Sequence, residues 1–270
     1  MKPPKRTLRA FITIASVLSL FLLLSGFMLA VQEVIRPNKS PATAKAKPKL
    51  ASIQAGGMLV GLGDSLTRGV GDSSGQGYFG IVKKNLQKEA GSSFSAINLA
   101  ISGQTSSQLV NQVKQSRVKE IVKSADWITI TIGGNDLFRS SGRFEKIDEQ
   151  AAEKGRLAYE QNLTVILKEL RNQNREAVIF LFGLYNPFGD LPDEEKSSRL
   201  VGEWNETMQE VSGRFQRVVV IPTFDLFQLK PKEYLYSDHF HPNQQGYERM
   251  AERLLQVIRD SGEGKATDAD

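Results

Sequence analysis

The chain of 270 residues contains no cysteine. This absence excludes disulfide bonds, thiol catalysis and cysteine-ligated metal sites. It also excludes a lipid anchor on an N-terminal cysteine. Histidine is nearly absent, because the only two, His239 and His241, lie in the segment YSDHFHPN near the C-terminus. A reaction that needs an imidazole base must therefore use one of these two residues.

Clustered positive charge is missing from most of the chain, although the formal net charge is +5. Residues 1–50 hold nine of the 35 Lys and Arg residues and only one of the 30 acidic residues, Glu33. The rest of the chain therefore carries 26 basic against 29 acidic residues. Because binding to a nucleic acid backbone needs clustered positive charge, we expect no nucleic acid partner.

Charged residues are also absent from residues 11–31, which follow a basic segment at residues 1–10. A helix of this length spans about 30 Å, the thickness of the hydrocarbon core of a bilayer. The basic flank favours a cytoplasmic N-terminus. We therefore predict a transmembrane signal-anchor at residues 11–31, with the rest of the chain outside the cytoplasm. A cleaved signal peptide, which gives a secreted protein, is the alternative.

The remainder of the chain divides by composition into three segments. Residues 32–56 lack apolar periodicity and contain three prolines, which predicts a flexible linker. Residues 57–260 carry the apolar patterns of a folded domain, and residues 261–270 are predicted to be a disordered tail.

Five short apolar runs alternate with helical patterns within residues 57–260. The runs lie at residues 58–62, 95–100, 127–133, 177–183 and 218–222, and the helical patterns lie near residues 78–90, 105–123, 150–173, 193–213 and 247–258. This alternation predicts a three-layer α/β/α sandwich around a five-stranded, mostly parallel, flavodoxin-like sheet.

Four blocks of polar residues and glycines coincide with strand ends or with the histidine segment. They are GDSL at residues 63–66, Gly103, GGND at residues 133–136 and DHFH at residues 238–241. Because the carboxyl ends of parallel strands meet at one edge of a sheet, we expect these blocks to lie close together. A serine, a histidine and a carboxylate at one place suit acyl transfer, in which the histidine activates the serine and the carboxylate orients the histidine.

These blocks resemble, in order and spacing, those of the GDSL-type or SGNH hydrolases, and the resemblance extends from about residue 57 to residue 260. It implies that Ser65 is the nucleophile, His241 the base and Asp238 the acid that orients the base. It also implies an oxyanion hole formed by Ser65, Gly103 and Asn135. The activity implied is hydrolysis of carboxylic esters, or of thioesters, through an acyl-enzyme, with neither a metal nor another cofactor.

The two histidines are distinguished by their spacing from Asp238. Adjacent side chains diverge in an extended segment, so Asp238 orients His241 more readily than its neighbour His239. Pro242 is predicted to occupy the first position of the closing helix. His239 is expected to face solvent or to line the pocket wall.

Residues that follow the third and fourth strands are candidates for the substrate pocket. They are Leu137 and Phe138, which begin a polar stretch (residues 137–150) predicted to be a loop, and Tyr185 and Phe188. Loops at strand ends commonly form pocket walls or lids, but simple loop packing is an equal alternative at these positions.

Two other functions stay open at this stage. The predicted location outside the cytoplasm makes a deacetylase of cell-surface carbohydrate an attractive alternative. A catalytically inactive, tethered binding module that keeps the fold is a second alternative. The expected partners are an ester-containing small molecule or lipid as substrate, and the membrane through the N-terminal helix.

Overall fold

The structure, a computed structural model, describes residues 14, 18–26, 28, 56–90, 93–142, 147–189 and 194–260. The chain divides into two compact units, Met1–Lys47 and Pro48–Asp270. In the first unit residues 18–26 are helical, and the Ser25 hydroxyl donates a hydrogen bond to the Phe21 carbonyl at 2.7 Å.

The described part of the chain holds no helix with the length and apolar character that a membrane crossing requires. The structure therefore gives no support to the predicted transmembrane helix at residues 11–31, of which residues 11–13, 15–17, 27 and 29–31 lie outside the described part of the chain. The predicted basic segment (1–10) and tail (261–270), and all but the last residue of the linker (32–56), also lie outside them.

Five strands form one parallel sheet in the second unit, in the order β2-β1-β3-β4-β5. They are β1 (Met58–Gly63), β2 (Ser95–Asn98), β3 (Trp127–Thr131), β4 (Val178–Phe182) and β5 (Val218–Ile221). Every residue of β3 and β4 is buried, which explains their continuous apolar sequence, since helices cover both faces of the sheet. The predicted five-stranded α/β sheet is confirmed.

Ten helices are described in this unit, numbered here from the end of β1. They are α1 (Ser65–Arg68), α2 (Gly77–Ala90), α3 (Ser106–Val113), α4 (Ser116–Lys123), α5 (Gly134–Ser140), α6 (Glu149–Gln173), α7 (Glu194–Gly213), α8 (Phe224–Gln228), α9 (Pro231–Tyr234) and α10 (Gln244–Asp260).

Two hydrophobic cores lie on opposite faces of the sheet. Alternate strand residues such as Val60, Ile128 and Ile179 pack with α3, α4, α6 and α7 on one face. Their neighbours Leu59 and Trp127 pack on the other face with α2, α8 and α10. This alternation follows from the two-residue period of a strand and produces the three layers.

Three helix predictions differ from the structure. The single helix predicted at residues 105–123 is two helices, α3 and α4, because Gln115 is extended and turns the chain between them. The first part of the loop predicted at residues 137–150 is helical, in α5. The short helices α8 and α9 were not predicted, because runs of four or five residues carry too little periodicity to detect.

The prediction that Pro242 begins the closing helix is wrong. Pro242 instead pairs with Leu235 in an isolated antiparallel bridge, and α10 begins at Gln244. The side chain of Asn243 accepts a hydrogen bond from the Gly246 N–H at 3.0 Å, so the asparagine caps the helix.

The chain adds β2 on one side of β1 and then adds β3, β4 and β5 on the other side, so the order of the strands switches at β1. In open parallel sheets, a crevice forms outside the carboxyl ends of the strands at this switch point. The blocks at residues 63–66 and 133–136 follow β1 and β3, and therefore lie at this crevice.

Candidate active site

Ser65 lies at the first position of α1, directly after β1, and is 5% exposed. The turn that precedes it requires glycine at position 63, where φ is 103° and an added Cβ would lie 1.9 Å from the Thr131 carbonyl oxygen. Asp64 caps α1, since its Oδ1 accepts a hydrogen bond from the Leu66 N–H at 3.0 Å. The tight turn therefore fixes Ser65 at the carboxyl edge of the sheet.

His241 links Ser65, which lies 176 positions earlier in the sequence, to Asp238. Its Nε2 lies 2.9 Å from Ser65 Oγ, and its Nδ1 lies 2.6 Å from Asp238 Oδ2. Asp238 Oδ1 also accepts hydrogen bonds from the backbone N–H groups of Phe240 (3.0 Å) and His241 (2.9 Å). The three side chains that the sequence suggested thus form one hydrogen-bonded line.

The electrostatics of Asp238 suit a carboxylate partner. Partial burial raises its pKa, but the hydrogen bonds from the His241 side chain and from two backbone N–H groups outweigh burial, so the pKa of Asp238 lies below its usual value of 3.8. Asp238 is therefore ionised at neutral pH, when it accepts the Nδ1–H of His241 and leaves Nε2 as the acceptor for the Ser65 hydroxyl.

His239 is exposed to solvent. Its φ is 56°, a left-handed conformation that histidine adopts more readily than most residues. The His239 N–H donates to the Tyr236 carbonyl at 2.9 Å and closes a tight turn. This turn returns the chain so that Asp238 can reach His241, three positions along.

Ser65, Gly103 and Asn135 line one open cleft of about 370 Å³, together with Asp238 and His241. The Asn135 amide donates one hydrogen bond to the Gln104 carbonyl at 3.1 Å, and its NH₂ group carries a second hydrogen. The three residues predicted to stabilise an oxyanion are thus at the same cleft as the serine.

Hydrogen bonds tie the Gly103 segment to the Asn135 segment. The Asp136 carboxylate accepts from the N–H (2.9 Å) and hydroxyl (2.6 Å) of Ser106, at the start of α3. Arg139 donates to the Gly103 carbonyl at 3.0 Å. Sequence reasoning gave no role to Arg139, since an arginine on a polar stretch carries no specific signal.

Asp64 is buried and lies at one end of a chain of hydroxyl groups. Its Oδ1 accepts from the Thr131 hydroxyl at 2.7 Å, and Thr131 Oγ1 lies 2.8 Å from Thr67 Oγ1. Thr67 Oγ1 in turn lies 2.6 Å from the Tyr78 hydroxyl. Burial raises the pKa of Asp64 from 3.8 to about 7, more than the hydrogen bond from Thr131 lowers it.

A smaller cavity of about 40 Å³ adjoins Ser65, and all four predicted pocket residues line it. Those residues are Leu137, Phe138, Tyr185 and Phe188. Phe240 also lines the cavity but was missed, although it lies between the two histidines that the sequence had singled out. The Tyr185 hydroxyl donates to the Phe240 carbonyl at 2.6 Å and so anchors the segment that carries His241.

Comparison with known families agrees with this geometry. The profile of the GDSL-like lipase/acylhydrolase family matches residues 62–249, well over half of the chain. The chain belongs to this family. The match includes all of the segments that surround Ser65.

Relatives of this GDSL-family chain include two curated Bacillus proteins. The spore germination lipase LipC of Bacillus licheniformis is 33% identical over 199 residues, which cover 72% of this chain and 92% of LipC. The uncharacterised protein YpmR of Bacillus subtilis is 30% identical over 210 residues, which cover 76% of this chain and 82% of YpmR.

Among solved structures, the lipase Lip_vut3 from a goat rumen metagenome superposes with a TM-score of 0.68 at 31% identity. The match covers 77% of this chain and 99% of Lip_vut3. The GDSL-family fold of this chain therefore extends over nearly the whole of a known lipase.

Proposed function

We propose that the protein is a serine hydrolase that cleaves carboxylic esters through an acyl-enzyme, with Ser65, His241 and Asp238 as its catalytic triad. The observation that carries this proposal is the hydrogen-bonded line from Ser65 Oγ through the His241 ring to Asp238. Membership of a lipase and acylhydrolase family supports it.

In the first half of the reaction, Ser65 Oγ attacks the ester carbonyl carbon while His241 Nε2 takes the hydroxyl proton. The carbonyl oxygen becomes an oxyanion, which the N–H groups of Ser65 and Gly103 and the Asn135 amide stabilise. The bond to the leaving oxygen then breaks, and the protonated His241 gives its proton to that alkoxide. Ser65 is left as an ester of the acyl group.

In the second half a water molecule replaces the alcohol. His241 takes a proton from the water, whose oxygen attacks the acyl carbon, and the same donors stabilise the second oxyanion. The bond to Ser65 Oγ breaks, Oγ recovers the proton from His241, and the carboxylic acid leaves. Asp238 stays ionised throughout and stabilises the imidazolium.

The substrate class is an ester of a small molecule or a lipid, and thioesters would follow the same steps. The apolar lining of the 40 Å³ cavity supports an acyl group as the part that it binds. The curated LipC and the solved Lip_vut3 are both named as lipases, which supports the same class.

For the N-terminal part we retain the proposal that residues 11–31 anchor the protein in the cell membrane, with the hydrolase domain outside the cytoplasm. The charge-free sequence of that segment and its basic flank support the proposal. The domain boundaries at residues 57 and 260 are proposed on the same basis of composition.

Substitution of the nucleophile tests the proposal. We expect Ser65→Ala to lose essentially all hydrolysis of nitrophenyl esters, and to lose labelling by a fluorophosphonate probe, while its circular dichroism stays unchanged. Ser73→Ala is the matched control, because Gly71-Asp72-Ser73 repeats the GDS sequence at an exposed position that lines neither cavity beside Ser65. Undiminished ester hydrolysis by Ser65→Ala would overturn the proposal.

A further inference from the structure

Three phenylalanines are common to the two cavities beside Ser65. The outer cleft is the open one of about 370 Å³, and the inner cavity is the one of about 40 Å³. Phe138, Phe188 and Phe240 line both of them, so the three rings lie where the two spaces adjoin.

The three rings come from separate segments and pack on one another. Phe138 and Phe188 are stacked, with centroids 6.2 Å apart, and Phe240 lies 5.4 Å from Phe138 and 6.3 Å from Phe188. All three are only half-buried. Contacts of this kind stabilise a defined arrangement of rings.

The chemistry of the reaction assigns a different part of the ester to each space. The leaving alkoxide must receive its proton from His241 Nε2, and His241 lines the outer cleft but not the inner cavity. The leaving group therefore occupies the outer cleft. Ser65 and Asn135 line both spaces, so an ester carbonyl at the serine lies where the two spaces adjoin. Because the leaving group takes the outer cleft, the acyl chain extends into the inner cavity.

The volumes of the two spaces differ about ninefold. About 10–15 Å³ of cavity volume holds one water-sized group, so the inner cavity of about 40 Å³ accommodates about three such groups. The outer cleft has room for a much larger alcohol. Leu137, Leu184 and Val201 also line the inner cavity, which makes its surface apolar.

We propose that the inner cavity is the acyl site, that the outer cleft is the alcohol site, and that Phe138 and Phe188 limit the length of the acyl chain. The preferred substrates are then esters of short acyl groups, about two to four carbons long, with bulky alcohols. This inference rests on the proposed ester hydrolase function.

The test compares two series of esters on the full-length protein. In the first series the alcohol is nitrophenol and the acyl group is acetate, butyrate, octanoate or dodecanoate. In the second series the acyl group is acetate and the alcohol increases in size. We expect the wild type to have its highest kcat/KM for acetate or butyrate and to accept the larger alcohols.

Phe138→Ala and Phe188→Ala should raise kcat/KM for octanoate relative to acetate by about tenfold or more, because an apolar site discriminates by at least that factor between chains that fit and chains that do not. The alcohol series should not change in order. Phe188→Leu, which keeps an apolar contact, serves if an alanine variant fails to fold. Leu229→Ala is the matched control, because Leu229 is 89% exposed and lines neither space.

A wild type that prefers dodecanoate to acetate would contradict the inference. So would phenylalanine variants that change the order of the alcohols and not that of the acyl chains, because the two sites would then be reversed. A wild type that hydrolyses no ester contradicts the proposed function itself, which is a different outcome.

Discussion

Asp64, the residue before Ser65, has a different pKa in the folded and in the unfolded protein. In the unfolded chain its carboxyl titrates near the usual value of 3.8, and in the folded protein burial raises its pKa to about 7. Both hydrogen bonds that it accepts, from Leu66 and Thr131, go to Oδ1. A neutral side chain with an oxygen at that position can therefore make the same contacts.

Between about pH 4 and pH 7 the folded state holds a proton on Asp64 that the unfolded state has lost. The contribution of this group to the free energy of unfolding therefore falls as pH rises through that window, by at most about 4 kcal/mol. We predict that Asp64→Asn removes this decline and is more stable than the wild type at pH 8. Urea unfolding at several pH values measures the difference.

Asp225 provides a control, because its contribution to stability changes with pH in the opposite direction. Hydrogen bonds from Arg253 hold the pKa of Asp225 below its usual value, so its contribution to stability is lost as pH falls. Asp225→Asn should therefore reduce stability mainly at neutral pH. Equal pH profiles for the wild type and Asp64→Asn would show that Asp64 is ionised in the fold.

At the scale of the elements, the site depends on the turns that follow the strands. The turn between β1 and α1 brings its backbone against β3, and the Asp64 N–H donates to the Thr131 carbonyl at 3.0 Å. A side chain at position 63 has no space there. The turn that carries Ser65 and the adjacent strand β3 are thus one packed unit.

Gly63→Ala should reduce the free energy of unfolding by about 3 kcal/mol or more and abolish most activity, because the added Cβ strains the backbone and collides with the Thr131 carbonyl. Thermal unfolding and ester hydrolysis measure the two effects. Gly202→Ala, in the open interior of α7, should instead be stabilising by about 0.5–1 kcal/mol. A fully active Gly63→Ala variant would show that the turn tolerates a side chain.

At the scale of the whole molecule, the chain consists of two units of unequal size. Both described hydrophobic cores lie within Pro48–Asp270, as do the three side chains of the proposed triad. The larger unit therefore contains the interactions that a folded hydrolase needs.

We predict that a protein that begins at Pro48 folds cooperatively and hydrolyses nitrophenyl acetate at a rate close to that of the full-length chain. Thermal unfolding and kcat/KM, measured for both proteins in the same detergent, provide the comparison. A shortened protein without a cooperative transition would show that residues 1–47 contribute to the fold.

The sequence by itself determined the number of strands, because each strand lies within a short, largely apolar run that is followed by a glycine or a polar residue. The resemblance of its four blocks to those of the GDSL-type hydrolases also predicted that Ser65, Asp238 and His241 would meet, and only two histidines compete for the role of base. Both inferences rest on local patterns whose geometric consequence is general.

Only the tertiary structure decided the pKa of Asp64, the partition of the two cavities and the place of Phe240 among the three rings. Each of these depends on which distant side chains surround a group and on how much space they leave. Periodicity and spacing predict the strands and helices of a single segment. Burial and cavity volume arise only when separate segments pack together, so they cannot be predicted from any one segment.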